Sequence, residues 1–110
     1  MELSYKNKKL KDLFEDPVRL RRKYGGLTRK IDQRKEDLKA AENLEVLRSI
    51  PGARCHELTG EWNGCLAVNL SGNYRLIFKP DHNPVPRKED GGLDWHSVTK
   101  IKIIEIIDYH

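Results

Sequence analysis

The chain has 110 residues, of which 37% are hydrophobic and 35% charged, a size and composition typical of one domain with one small core. No apolar stretch approaches the roughly 20 residues that a membrane span requires, and the N-terminus lacks the apolar segment of a signal peptide. We therefore expect a single domain over residues 1–110, located in the cytoplasm and without a membrane partner.

The net charge of +4 is unevenly distributed along the sequence. Residues 1–50 carry 14 Lys/Arg against 9 Asp/Glu, whereas residues 51–110 carry 7 against 8. Between Arg19 and Lys35 there are eight basic residues and one acid, Asp32. A basic surface on a small domain favours a polyanionic partner such as a nucleic acid, but an ordinary solvated helix carries the same charges. The two interpretations are equally open on charge alone.

The N-terminal quarter predicts a short strand followed by two helices. The strand is expected at Glu2–Tyr5, at the edge of a sheet. Asn7 can cap the first helix, and Asp16-Pro17 can begin the second, because Asp accepts bonds from free N–H groups and proline suits the first helical position. Gly25-Gly26 is expected to end the second helix.

A longer helix follows, and we expect Thr28 to cap it. Its inward positions are predicted to be Ile31, Leu38 and Ala41. Its outward positions are predicted to be Arg29, Lys30, Arg34 and Lys35. The helical pattern weakens near Glu42-Asn43, and residues 44–50 are expected to form a short packed connector that ends at Pro51-Gly52.

From Ala53 onward the apolar period changes from helical to two, which is typical of strands. Residues 65–70 and 74–79 alternate around Ser71-Gly72-Asn73, a predicted hairpin turn. Residues 80–98 contain three prolines and predict a long loop. The last strand, Lys100–Tyr109, is apolar on both faces and is expected at the centre of the sheet. The order predicts an α+β fold, β-α-α-β-β-β, with the N-terminal strand and helices packed on a small antiparallel sheet.

The two cysteines and the scattered histidines do not predict a metal or cofactor site. Cys55 and Cys65 lack the spacing of zinc ligands, and we expect two free packing thiols. His82 and His96 are too far apart in sequence to argue for a metal site.

Four features have the chemistry that metal-independent RNA cleavage requires: His56, Arg75, the terminal Asp108-Tyr109-His110, and the basic helical segment. A base removes the proton of a ribose 2′-OH, a cation offsets charge on the phosphate oxygens, and an acid protonates the departing 5′-oxygen. Histidine suits both proton roles, and arginine can grip phosphate with two N–H groups.

Each of these residues also has an ordinary structural interpretation. His56 could be a strand-edge residue without a role, and Arg75 could pair with an acid across the sheet. Asp108 could be a strand-terminal acid, Tyr109 a core residue, and His110 a frayed end. The residue types alone do not decide between these interpretations.

Local sequence adds a resemblance to a known family. Residues 50–60 (IPGARCHELTG), residues 64–78 (GCLAVNLSGNYRLIF) and the terminal Asp-Tyr-His resemble the HigB "killer" toxins of the RelE superfamily. These are toxins of bacterial type II toxin–antitoxin pairs. The resemblance implies a RelE-like fold and a ribosome-dependent endoribonuclease that cuts mRNA and inhibits translation without a cofactor. It also implies a HigA-like helix-turn-helix antitoxin as partner, with the ribosome and mRNA as targets.

By the same resemblance, the catalytic residues are expected to be His56, Arg75, Asp108, Tyr109 and His110. The resemblance implies that Arg75 binds the phosphate, and Tyr109 could stack on a base of the mRNA. The assignment of base and acid goes beyond the motif, and we expect His56 or Asp108 to be the base and His110 the acid. Ribosomal RNA phosphates are expected to contact Arg19, Arg21, Arg22, Lys23, Arg29, Lys30, Arg34 and Lys35.

Two departures from the family pattern leave other functions open. Family members often carry Lys or Arg where this chain has Thr59, so a second phosphate contact is in question. The loop at 80–98 is longer than the family's usual turn. Its Trp95 and His96 are expected to belong to a packed excursion, or else to an added contact surface or an antitoxin dock. The alternatives are a non-catalytic binder of the same fold and a poison of another target such as gyrase.

Overall fold

The computed structural model describes residues 1–109, which form a five-stranded sheet covered by helices on one face. The strands are β1 (Glu2–Tyr5), β2 (His56–Glu57), β3 (Leu66–Asn69), β4 (Tyr74–Pro80) and β5 (Lys100–Asp108). The helices are α1 (Lys8–Glu15), α2 (Pro17–Tyr24), α3 (Thr28–Ala40) and α4 (Leu44–Arg48). Short 3₁₀ turns occupy Gly25–Leu27, Gly60–Trp62 and Trp95–Ser97. None of the helices in residues 1–109 is long and apolar enough to cross a membrane.

Side-chain caps define the starts of the first two helices, as the sequence predicts. Asn7 accepts a hydrogen bond from the Leu10 N–H at 2.9 Å. Asp16 accepts from the N–H groups of Val18 and Arg19, with Pro17 at the first helical position. These oxygens satisfy N–H groups that have no partner within the helix.

The expectation that Thr28 caps α3 is wrong. The Gly25–Leu27 turn runs directly into the helix, so the N-cap position falls on Leu27, whose backbone is helical and whose side chain makes no capping bond. Thr28 is the first helical residue, and its hydroxyl donates to the Leu20 carbonyl at 3.3 Å. The threonine therefore ties α3 to α2 and leaves the N-terminus of α3 without a side-chain cap.

The sheet has the order β1-β5-β4-β3-β2 and is mixed rather than wholly antiparallel. β2, β3, β4 and β5 pair antiparallel, whereas β1 pairs with β5 in parallel. The sequence predicts the edge position of β1 correctly. β5 has a neighbouring strand on each side, but β4 takes the central position that the sequence predicts for β5. The expected antiparallel sheet is wrong at β1, because four helices separate it from the rest of the sheet and the chain returns to β5 in the same direction.

The main core lies between the helices and one face of the sheet. Its fully buried side chains include Leu20, Ile31, Leu38, Leu44, Leu47, Leu66, Val68, Leu76, Phe78, Ile101 and Ile103. A smaller apolar cluster lies on the opposite face of the sheet, where Leu58, Ala67 and Ile77 are buried and Trp62 packs against them. Within residues 1–109, none of α1–α4 contributes a side chain to this second cluster, and its helix-free face of the sheet positions the candidate site.

The loop between β4 and β5 is the packed excursion that the sequence predicts. Leu93, Trp95 and Val98 are buried in the main core. The Arg48 guanidinium lies 3.7 Å from the centre of the Trp95 ring, and the Leu44 N–H donates to the Val98 carbonyl at 3.0 Å. The loop thus joins α4 to the sheet, and removal of its apolar side chains from water stabilises that connection.

Arg34 is buried, in contrast to its predicted outward position on α3. Its Nε donates to the Asn69 carbonyl at 2.7 Å, and its Nη1 bonds Asp37 at 3.0 Å. At Asn69 the edge of β3 extends past the short β2, and the Asn69 N–H donates to the Ala53 carbonyl at 2.7 Å. Arg34 therefore satisfies a backbone carbonyl that a longer neighbouring strand would otherwise bind.

The buried contact of Arg34 predicts a stability effect that its helix neighbour Arg29 lacks. We expect Arg34→Met to lower the free energy of unfolding by about 1–3 kcal/mol, because the Asn69 carbonyl loses its donor inside the protein. Arg29→Met removes the same charge from an exposed position and is expected to change stability by less than about 0.5 kcal/mol. Urea unfolding of both variants measures the difference. Equal losses would show that Arg34 is not part of the structural core.

The two thiols are free, as predicted, and are expected to react at different rates. Burial raises the pKa of Cys55 to about 12, so roughly one thiol in 10⁴ is ionised at pH 8. Burial also raises the pKa of Cys65, while the charge of Lys79 opposes that effect. We expect iodoacetamide to modify Cys65 before Cys55 in the native protein, as followed by peptide mapping. Equal native rates would contradict this, and in urea the two rates should converge.

Candidate active site

His56 and Arg75 lie on the helix-free face of the sheet. His56 pairs with Ala67, which pairs with Ile77 on β4. Directly opposed residues in an antiparallel ladder point to the same face, and so do residues two apart on a strand. Arg75 is two residues from Ile77 and therefore shares the face of His56.

The register also gives the separation of the two side chains. Neighbouring strands lie about 4.8 Å apart and two residues along a strand span about 6.7 Å, so the Cα atoms of His56 and Arg75 are roughly 12 Å apart. Both side chains are long enough to reach toward a ligand between them, but they do not contact each other across β3. This spacing suits a substrate that binds across the strands, such as a nucleotide segment.

The His56 ring is held in one orientation. Its Nδ1 lies 2.8 Å from the Arg54 carbonyl oxygen. A carbonyl only accepts hydrogen bonds, so Nδ1 carries the proton and, in the neutral ring, Nε2 keeps its lone pair. The ring is exposed on the short strand β2. His56 can therefore accept a proton at Nε2 from a ligand on this face.

Arg75 and Tyr109 lie close together at the end of the sheet. The Arg75 guanidinium donates to the carbonyls of Gly72, at 3.1 Å, and Tyr74, at 2.9 Å. Its central carbon lies 5.8 Å from the centre of the Tyr109 ring. The Tyr109 N–H donates to the Asn73 carbonyl at 2.9 Å, which ties the end of β5 to the hairpin turn. The structure thus places a cation and an exposed aromatic ring side by side.

Asp108 pairs with Tyr74, which precedes Arg75 on β4, so the side chains of Tyr74 and Arg75 point to opposite faces of the sheet. The alternation along β4 therefore directs Asp108 to the face that carries the helices. It borders a recess of about 440 Å³ together with Gly26 and Leu27, from the turn between α2 and α3. The structure brings together His56, Arg75 and Tyr109 on one face but not Asp108, and His110 lies outside the described residues.

The basic segment is divided among several environments. Arg34 is buried, and the Lys35 ammonium donates to the Phe14 carbonyl at 3.4 Å. A groove of about 390 Å³ has an apolar floor at Leu10, Leu13 and Ile104. Its basic rim is formed by Lys6, Lys9, Arg19, Arg22 and Lys23. Arg21 and Arg29 instead line a separate recess of about 510 Å³. The basic residues of the segment that line recesses therefore divide between two of them, and the buried Arg34 lines neither.

Sequence reasoning missed Lys79 and Lys102, which also lie on the face of His56. They are directly paired between β4 and β5, and Lys79 is four residues from Arg75. The two-residue period that relates Arg75 to Ile77 could have identified Lys79. The position of Lys102 could not be found in this way, because the register shifts between Ile77 and Phe78.

Comparisons with known proteins identify the family. A model of the family described as RelE-like toxin of type II toxin-antitoxin system HigB matches residues 3–96. Toxin HigB-1 of Vibrio cholerae serotype O1 is 33% identical over 79 residues, or 72% of this chain and 83% of that protein. The YoeB/ParE toxin from Agrobacterium tumefaciens matches over the full length of both chains with a TM-score of 0.58 and 12% identity, which shows the shared fold alone.

The resemblance seen in the sequence is thereby confirmed, as is the RelE-like α+β fold. The family match includes His56 and Arg75 and ends before β5. Because this match covers most of the chain, the protein belongs to the HigB-like family of RelE-like toxins, the toxin components of type II toxin–antitoxin systems.

Proposed function

We propose that this toxin is a ribosome-dependent endoribonuclease that cleaves mRNA and thereby inhibits translation in the cytoplasm. The observation that carries the proposal is the shared exposed face of His56 and Arg75, in a chain that belongs to a toxin family. A proton acceptor and a permanent cation on one surface are the groups that phosphodiester transfer requires.

His56 is the proposed base. Its Nε2 removes the proton of a ribose 2′-OH, and the resulting oxygen attacks the adjacent phosphorus. The Nδ1 bond to the Arg54 carbonyl keeps the ring oriented throughout and supports the imidazolium that forms. The orientation of Asp108 toward the opposite face favours His56 over Asp108 for this role.

Arg75 is the proposed phosphate ligand. In the free protein its guanidinium is bonded to two carbonyls of the hairpin turn, at Gly72 and Tyr74. A phosphate is a stronger acceptor for arginine than a neutral carbonyl. We therefore propose that substrate binding draws the guanidinium toward the scissile phosphate, where it offsets charge on the equatorial oxygens.

The end of the chain is proposed to complete the reaction. Tyr109 is exposed beside Arg75 and offers a ring on which a base of the mRNA can stack. We propose His110 as the acid that protonates the departing 5′-oxygen. The bond to that oxygen breaks as the 2′-oxygen bonds to phosphorus, so the products carry a 2′,3′-cyclic phosphate and a 5′-hydroxyl.

A protein antitoxin is implied by membership in a type II toxin family. We propose a HigA-like helix-turn-helix protein for this role, with the ribosome and its mRNA as the targets. The exposed residues of the basic segment are proposed to contact ribosomal RNA, namely Arg19, Arg21, Arg22, Lys23 and Arg29. Lys30 and Lys35 are half-buried and less available for such contacts, and the burial of Arg34 removes it from that set.

Substitution of the two proposed site residues tests the activity. We expect His56→Ala and Arg75→Ala each to lower the rate of mRNA cleavage by roughly 10²–10⁴-fold, because each removes a group that acts on the transition state. The measurement is primer extension on ribosome-bound message in a purified translation system. Both variants should also relieve growth arrest when the toxin is expressed.

Lys88→Ala is the control, because Lys88 is an exposed residue of the loop between β4 and β5 and does not belong to the strands that carry His56 and Arg75. Its cleavage rate should equal that of the parent. Full activity in both site variants would overturn the catalytic assignment. Growth arrest with intact mRNA and broken DNA would favour a gyrase poison, and binding without any cleavage would favour a non-catalytic module.

A further inference from the structure

Lys79 occupies a position on the sheet that mirrors that of Arg75. Ile77 lies between them on β4, in the same row as His56. Arg75 lies two residues before Ile77 on β4, and Lys79 lies two residues after it. Each Cα is therefore roughly 12 Å from that of His56 by strand geometry. A polymer bound at His56 and Arg75 can continue past Lys79.

The Lys79 ammonium is available for a ligand. Its side chain is exposed, and within residues 1–109 it forms no ion pair at 4.0 Å or less. Arg75 differs in this respect, since two backbone carbonyls already hold it. Lysine provides a compact charge on a flexible chain, which suits contact with a phosphate whose position varies.

Lys79 also lines a cleft of about 240 Å³ at the end of the sheet. The charged groups around this cleft are Glu57, Lys79, Asp81, Arg87 and Lys102, with His82 beside them. Asp81 already accepts a hydrogen bond from Ser4 at 3.0 Å and pairs with Lys102 at 3.8 Å. The remaining charges, Lys79 and Arg87 against Glu57, leave the cleft with an excess of positive charge.

The long loop supplies one wall of this cleft. Arg87 is held there by a backbone bridge with Leu93, whose side chain is buried in the main core. The cleft is therefore formed by a packed segment. Lys79 and Lys102 belong both to this cleft and to the face of His56. These lysines and the positive charge of the cleft match a sugar–phosphate backbone that runs along β4.

We propose that Lys79, with Arg87 across the cleft, forms a second phosphate subsite that holds the mRNA strand next to the scissile nucleotide. This inference rests on the proposed function. Lys79 would supply, from β4 itself, the additional phosphate contact that Thr59 cannot make. The subsite binds substrate before and during the reaction equally, so it lowers KM without changing kcat.

Charge removal and charge retention at Lys79 test the proposal. We expect Lys79→Gln to raise the KM for ribosome-bound message about tenfold with kcat unchanged, as loss of one charged contact implies. The dependence of log KM on log salt concentration should become shallower by about 0.7. Lys79→Arg should restore most of the loss. Lys88→Gln is the matched control, with the same charge change outside the cleft, and should behave as the parent.

Three results in the same system would overturn the subsite. These are a KM for Lys79→Gln equal to that of Lys88→Gln, a fall in kcat with KM unchanged, or weakened binding to ribosomes that carry no message. The last result would place the contact on ribosomal RNA.

A second measurement separates this proposal from the proposed function. Fluorescence anisotropy follows binding of a short, labelled 2′-O-methyl RNA that cannot be cleaved. If the parent cuts no message but binds this RNA in a Lys79-dependent manner, the function fails and the subsite stands. The subsite is overturned if the parent cleaves message but the parent and Lys79→Gln bind the RNA equally. It is also overturned if neither of these two proteins binds the RNA.

Discussion

The antiparallel pairing of β4 with β5 is the constraint on which the candidate site depends. It runs from Tyr74 opposite Asp108 to Pro80 opposite Ile101. The apolar side chains of β5 bury it between β4 and β1, so the strand is fixed by packing on both faces. Because this strand is fixed, its end is carried to the hairpin turn, where Tyr109 bonds Asn73 and lies against Arg75. A terminal segment without such a mount could not hold side chains in place.

The pairing also places two of the candidate residues on opposite faces of the sheet. Alternation along the strands directs Arg75 to the helix-free face and Asp108 to the face that carries the helices. The shift in register between Ile77 and Phe78 keeps Ile101, Ile103 and Ile106 of β5 in the main core, on the face toward the helices. The proposed chemistry therefore uses one surface of the sheet while the other surface supports stability. This division allows charged residues to collect at the site without entering the main core.

A buried arginine and the long loop after β4 support the sheet where its strands are short. Arg34 binds the Asn69 carbonyl beyond the end of β2, and the loop after β4 packs Trp95 against Arg48. Arg34 provides the hydrogen bond that a longer β2 would provide, and Trp95 provides a packing contact that holds the loop against α4. The same loop carries Arg87 to the cleft at Lys79. The long loop between β4 and β5 is thus part of the main core and also forms one wall of the cleft proposed to bind the mRNA strand.

Apart from α4, β2 and the 3₁₀ turns, the sequence by itself determined the element types, together with the edge position of β1, the free thiols and the family. Local signals carry that information, since caps at Asn7 and Asp16 and the isoleucines of β5 act on neighbouring residues. It could not determine the parallel pairing of β1, the burial of Arg34 or the absence of a cap at Thr28, because these depend on contacts between distant segments. The tertiary structure alone decided which chemical groups share a surface. Strand register sets that outcome, and a shift of one residue moves a side chain to the opposite face.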